Sequence, residues 1–130
     1  MDRKELLTLA RQARASAYVP YSGFRVGAAL LAADGRVFCG CNVENASFTP
    51  TCCAERVAIF KAVSEECREF SAIAVVGGKG EAVSPCPPCG VCRQVLSEFC
   101  DDGMEIILEN SDGEPISMTL GELLPHRFSL

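Results

Sequence analysis

Apolar residues at Leu6, Leu9, Ala10, Ala13 and Ala17 recur at helical spacing, with Arg3, Lys4, Arg11 and Arg14 between them. The pattern predicts an amphipathic helix that ends before Pro20. The stretch "FRVGAALLAADGRVFCGCNVEN" then reads as two strands joined at Asp34-Gly35, a favoured hairpin turn. The first of them is apolar on both faces, as a strand covered on both sides would be. A second helix is expected in "AERVAIFKAVSEE", a third strand in "FSAIAVVGG", a third helix in "VCRQVLSEFC" and a fourth strand in "MEIILEN". Ser111-Asp112-Gly113 marks a turn before a short fifth strand, "PISM". "TLGELL" opens with Thr119 and Glu122 at capping-box spacing and predicts a short last helix. Two strands followed by alternating helix and strand indicate a three-layer α/β/α sandwich with a mixed five-stranded sheet. The one long loop, residues 77 to 88, is punctuated by Gly and Pro and delivers the chain to a cysteine cluster. Val57, Ala58, Ile59, Phe60, Ala62 and Val63 surround most of the second helix. Such a helix is either central in its own fold or covered in part by another subunit.

Composition sets the bounds. The 130 residues suit one catalytic domain spanning 1–130. Hydrophobic residues at 48% and charged residues at 22% are an ordinary globular balance. A net charge of -5 argues against a nucleic-acid partner, which would call for a basic patch. The charged N-terminal stretch lacks the apolar centre of a signal peptide, and no apolar run is long enough to span a bilayer. The expected location is therefore the cytoplasm, with no membrane partner.

The nine cysteines change this ordinary picture. Their odd number and the absence of an export signal favour metal over a disulfide scaffold. "TCCAERVAIF" places Cys52, Cys53 and Glu55 at the start of one predicted helix, and "CPPCGVC" stands at the start of the next. Helix starts offer unpaired N–H groups and a positive dipole end, an environment that stabilises thiolates. Three thiolates with one open position describe a catalytic Zn2+ site; a fourth protein ligand would make it structural. Cys52 or Cys86 could close the site by count, although neighbours on a helix face about 100° apart, which disfavours Cys52 and Cys53 chelating together. Glu55 favours the catalytic reading. A carboxylate that is not a ligand but stands beside the metal is the proton shuttle that zinc hydrolysis needs. Cys53-Ala54-Glu55 and Pro88-Cys89-Gly90-Val91-Cys92 match the ligand-x-Glu and P-C-x-x-C pieces of zinc deaminases. Arg56, next to Glu55, is a candidate hydrogen-bond donor to a ligand sulfur, with Arg93 a second.

With "YVPYSGFRVGAALL", "GCNVENAS", "CAERVAIFKAVSE", "PCGVCRQVLSEF" and "ELLPHRF" in order, the chain resembles cytidine deaminases of the small homotetrameric kind with three cysteine ligands. The resemblance implies zinc on Cys53, Cys89 and Cys92, with Glu55 catalytic. It implies that Asn42 and Glu44 hold the ribose of a nucleoside, that Phe24 flanks the ligand, and that Phe128 closes a neighbouring subunit's pocket. The backbone at Ala54 and the carbonyl near Cys89 would orient the amine. The implied reaction replaces the 4-amino group of cytidine or deoxycytidine, giving uridine or deoxyuridine and ammonia, as in pyrimidine salvage. Glu55 would move protons from water to N3 and to the leaving amine.

Two departures stand out. Phe48 occupies a position where many relatives carry tyrosine, so it is left out of the site. "PCPPC" precedes "GVCRQ" where relatives show one P-C-x-x-C. The match to "PCGVCRQ" selects Cys89 and Cys92, and Pro87 and Pro88 keep Cys86 in the loop by disfavouring helix ahead of them. Three rivals remain from the sequence: a relative acting on another aminopyrimidine such as blasticidin S, a structural-zinc binding module, and a thiol redox protein using Cys86 or Cys89.

Overall fold

The computed structural model describes Met1–Leu130. Helix α1 runs from Arg3 to Ala13, capped by Asp2, whose side chain accepts from the Glu5 N–H at 2.8 Å. A single 3₁₀ turn over Arg14–Ser16 ends it before Pro20. Strands β1 (Phe24–Ala32) and β2 (Val37–Cys41) form the expected hairpin. Then follow α2 (Ala54–Ser64), β3 (Phe70–Lys79), α3 (Gly90–Phe99), β4 (Glu105–Glu109), β5 (Pro115–Thr119) and α4 (Leu120–Leu123). The fifth strand is present, and the capping box forms in both directions between Thr119 and Glu122.

The sheet has five strands in the order β2-β1-β3-β4-β5. Strand β1 is antiparallel to both β2 and β3, so β2 and β3 run parallel to each other, and β4 runs parallel to β3. Strand β5 is an antiparallel edge. The sheet is mixed, as the order of elements implied.

Two cores flank it. Leu6, Leu7 and Ala10 of α1 pack against Ala29, Ala72, Ala74 and Val76 on one face. On the other face, Ala58, Ile59 and Ala62 of α2 and Leu96 of α3 meet Ala28, Leu30, Ile73 and Val75. Alternate residues of β1 therefore serve opposite layers, which explains why that strand is apolar on both sides. Helix α2 is only partly enclosed: Ala58, Ile59 and Ala62 are buried, but Phe60 is 50% exposed.

Gly40 brings the start of α2 down onto β2. A Cβ built there would lie 2.5 Å from the Ala54 carbonyl oxygen and 2.6 Å from the Ala58 nitrogen, so only glycine permits this backbone-to-backbone approach. Gly40→Ala is therefore expected to push α2 outward and to destabilise the fold by about 1–3 kcal/mol, the usual cost of overpacking. Chemical denaturation checks this; an unchanged midpoint would show that α2 has slack against the sheet.

Candidate active site

Because β2 and β3 are parallel, the helices that follow them begin at the same end of the sheet. Cys53 is the N-cap of α2 and Cys89 the N-cap of α3, and neither side chain caps its helix. Cys92 sits in the first turn of α3 and is fully buried. The Sγ atoms of Cys53 and Cys89 are 3.7 Å apart, those of Cys89 and Cys92 3.5 Å, and all three lie within 4.8 Å of one another. Sulfurs about 2.3 Å from a tetrahedral zinc stand roughly 3.8 Å apart, so this spacing fits that ion.

Glu55 lies one helical residue beyond Ala54, beside the cluster. It is 4% exposed, and its Oε1 has no hydrogen-bond partner. An orphaned buried oxygen at this place suits a group that bonds to a ligand or water in the working protein. Burial pushes the Glu55 carboxyl up to about 7. The Cys53 thiol is lowered to about 5, first by a hydrogen bond from Cys92 and then by one from Arg56. The same sharing with Cys53, together with burial, pushes Cys92 up. The cluster thus keeps a sulfur anionic, as metal ligation requires.

Arg56 donates from Nη2 to the Cys53 sulfur at 3.5 Å and to the Thr51 carbonyl at 3.3 Å. Arg93 behaves differently from the expectation. Its Nε donates to the Pro88 carbonyl and its Nη1 to the Leu123 carbonyl, both at 2.7 Å, so it ties the cysteine loop to the C-terminal segment and not to a sulfur. Cys52 lies outside the cluster, its backbone paired in both directions with Val43 at 2.9 Å. Cys86 is also outside it: its sulfur packs over Gly77 beside Phe24, and burial pushes its thiol up to about 11.

The expected nucleoside residues gather near the start of β1. Asn42 accepts from the Val26 N–H at 2.9 Å and donates to the Phe24 carbonyl at 2.8 Å. One N–H of its amide and one lone pair remain free. Glu44 accepts from the Tyr21 N–H at 3.0 Å, from the Ser22 N–H at 3.2 Å and from the Ser22 hydroxyl. The Ser22 hydroxyl is the main reason its carboxyl is held below the usual carboxylate range. Glu44 lines a cavity of about 400 Å³ with Tyr21, Ser22, Asn45, Phe48 and Thr51. Tyr21, Ser22, Asn45 and Thr51 were not singled out from the sequence. Phe48 returns to view there, exposed and with a positive φ of 52°. Ala54 is buried in the first turn of α2. Phe128 is 68% exposed, tethered only through its carbonyl, which accepts from Gln94 Nε2 at 3.2 Å.

Thiols from two helix starts, converging beside a buried carboxyl at one end of a mixed sheet, define a metal-dependent hydrolase of the α/β/α class. Comparison with known proteins narrows the class. The family model for the cytidine and deoxycytidylate deaminase zinc-binding region matches residues 1–107. A cytidine deaminase from Sporosarcina psychrophila is 50% identical over 129 residues, covering 99% of this chain and 93% of that protein. One from Halalkalibacterium halodurans is 52% identical, covering 99% and 96%. The crystal structure of a cytidine deaminase from Burkholderia pseudomallei superposes with a TM-score of 0.91 at 48% identity, covering 98% of this chain and 100% of that one. The chain belongs to the cytidine and deoxycytidylate deaminase family.

Replacing single cysteines separates the clustered thiols from the one beside them. Serine is a poor zinc ligand, since its hydroxyl stays protonated near neutrality and is a harder donor. Cys92→Ser should shed zinc, whereas Cys86→Ser should keep about one zinc per chain and most of its activity. Metal analysis under reducing conditions reads both. Zinc lost with Cys86→Ser and kept with Cys92→Ser would move the chelating pair to C-P-P-C; zinc lost with both would mean four sulfur ligands.

Proposed function

We infer that this chain hydrolyses cytidine and deoxycytidine to uridine and deoxyuridine, releasing ammonia, with zinc held by Cys53, Cys89 and Cys92. The observation that carries the reading is the convergence of those thiols beside the buried, unpaired carboxyl of Glu55. Bound there, zinc supplies Lewis acidity that makes a water acidic enough to lose a proton near neutrality. Glu55 takes up that proton and passes it to N3 of the pyrimidine, then takes the remaining proton of the same water, now a hydroxyl on C4, and delivers it to the leaving 4-amino group as the C4 carbonyl forms. A C4–O bond forms, the C4–N bond breaks, and ammonia departs. A carboxyl poised near neutrality by burial both accepts and releases protons readily, which suits a group used more than once per turnover.

The other residues bind and balance charge. Three thiolates on a divalent ion leave a net charge of -1, and Arg56 offsets it by donating to the Cys53 sulfur. The unpaired first-turn N–H groups of α2 and α3, including that of Ala54, act in the same direction. Asn42 and Glu44 hold the ribose hydroxyls, and Phe24 flanks the pyrimidine. Phe128, exposed on its own chain, closes the pocket of a neighbouring subunit in a homotetramer. The half-exposed Phe60 supports such an assembly: with Gln94, Val95, Glu98 and Phe99 it lines an apolar-floored hollow of about 290 Å³ that another copy would cover. Residues 1–130 act as one catalytic domain. Nine unpaired cysteines, three of them needed as ligands, suit a reducing cytoplasm.

Glu55→Gln tests the mechanism. The variant should retain zinc, because Glu55 is not a ligand, and lose roughly 10²–10⁴-fold or more in uridine formation, the usual contribution of general acid–base catalysis. Near-normal turnover with zinc bound would remove Glu55 from the chemistry.

A further inference from the structure

Arg14 is 7% exposed, and none of the ion pairs in the structure involves it. A guanidinium taken out of water without a carboxylate needs other acceptors. Arg14 has three, all backbone carbonyls. Its Nε donates to Arg25 at 3.0 Å, and its Nη2 donates to Gly78 and to Gly80, each at 2.9 Å.

Those carbonyls mark the place where two parts of the site leave the sheet. Arg25 and Gly78 face each other across the β1–β3 ladder. On one strand, Phe24 precedes Arg25. On the other, the chain turns at Gly80, φ 59°, and folds back on itself. The fold-back is tight: a Cβ at Gly78 would lie 1.9 Å from the Ala82 carbonyl oxygen. It closes with a bridge between Gly77 and Ser84, and the next turn of chain lays Cys86 over Gly77 beside Phe24 before reaching Cys89. Ser16 ends the 3₁₀ turn that carries Arg14, and Ala17 beyond it is held in return by Arg25 Nη1 at 2.8 Å.

We propose that Arg14 is a positioning residue for the metal centre: its guanidinium clamps the carbonyls of the 78–80 turn to the start of β1 and so sets where the 81–89 segment presents Cys89. Nothing else from the α1 layer reaches that turn by a side-chain hydrogen bond. Arg14 acts on the opposite face of the sheet from α2 and α3, so its effect on the clustered thiols passes through the backbone it holds, the 78–80 turn and the start of β1. The proposal rests on the zinc site inferred above.

Arg14→Met keeps an unbranched apolar stem and removes all three bonds. Zinc-loaded protein would be challenged with a chromogenic chelator well below its melting temperature, and amide exchange followed over residues 79–89. Zinc release is expected to quicken by about 10–100-fold, the usual loss when a group supporting a ligand is removed, with faster exchange confined to that segment. Arg14→Lys should recover part of both. Leu9→Ala, a loss of packing on the same helix, serves as the stability control and should lower the melting temperature while leaving both readouts unchanged. If Arg14→Met matches Leu9→Ala, with a lower melting temperature but wild-type release and exchange, Arg14 only stabilises the fold and the proposal is overturned. Should Arg14→Met not fold, Arg14→Gln, which keeps a single donor nitrogen on a shorter side chain, decides by the same two readouts. A wild-type chain that binds no zinc would overturn the metal reading, and the exchange measurement would still decide for or against Arg14.

Discussion

The site depends on one constraint: β2 and β3 lie parallel on either side of β1. Parallel strands cannot be joined by a tight turn, so each is followed by a crossover through a helix. Here the crossovers are α2 and α3, and both must start at the carboxyl end of the strand that precedes them. That single arrangement brings two sets of unpaired helix N–H groups and two positive dipole ends to one place, and Cys53 and Cys89 are the caps. Gly40 sets the height of one helix start through its contact with Ala54 and Ala58. The 80–88 loop sets the position of the other.

Charge is then balanced over short distances. A cluster of thiols does not ionise freely, since each new anion raises the cost of the next. The pattern of lowered Cys53 and raised Cys92 records that competition, with Arg56 biasing it toward Cys53. Glu55 is kept near neutrality by its burial, and the neighbouring Cys53 thiolate pushes the same way. A carboxylate that stayed firmly ionised would accept a proton poorly, and one held neutral would not accept it at all. The burial that positions Glu55 also tunes it.

Much of this was legible along the chain because the chemistry-bearing residues sit at helix starts, where local signals are strong. Cys53-Ala54-Glu55 and the overlapping cysteine pairs mark those starts in the sequence. Pro87 and Pro88 indicated that Cys86 stays in the loop, and the structure has it there, outside the cluster. What was not legible depends on long-range backbone contacts. Arg14 looks like one of several cations spaced along an amphipathic helix; only the fold reveals that it turns inward to three carbonyls. Arg93 follows a candidate ligand in sequence, yet points toward Pro88 and Leu123. Tyr21 and Ser22 lie within the family-like "YVPYSGF" stretch and Thr51 outside the family-like segments, yet no residue type among them pointed to a role; they become a cavity wall because Glu44 gathers the 21–22 backbone. The exposed part of α2 could be read as either core or interface, and Phe60 shows why: one side of the helix meets the sheet and the other is left open.

The account stands or falls on how many sulfurs hold the zinc. X-ray absorption at the zinc edge of the loaded protein counts them directly. Three sulfurs at about 2.3 Å and one oxygen at about 2.0–2.2 Å are expected, that oxygen being the water in the open position. Four sulfurs and no light atom would close the site, leave Glu55 without a partner, and contradict the hydrolytic reading.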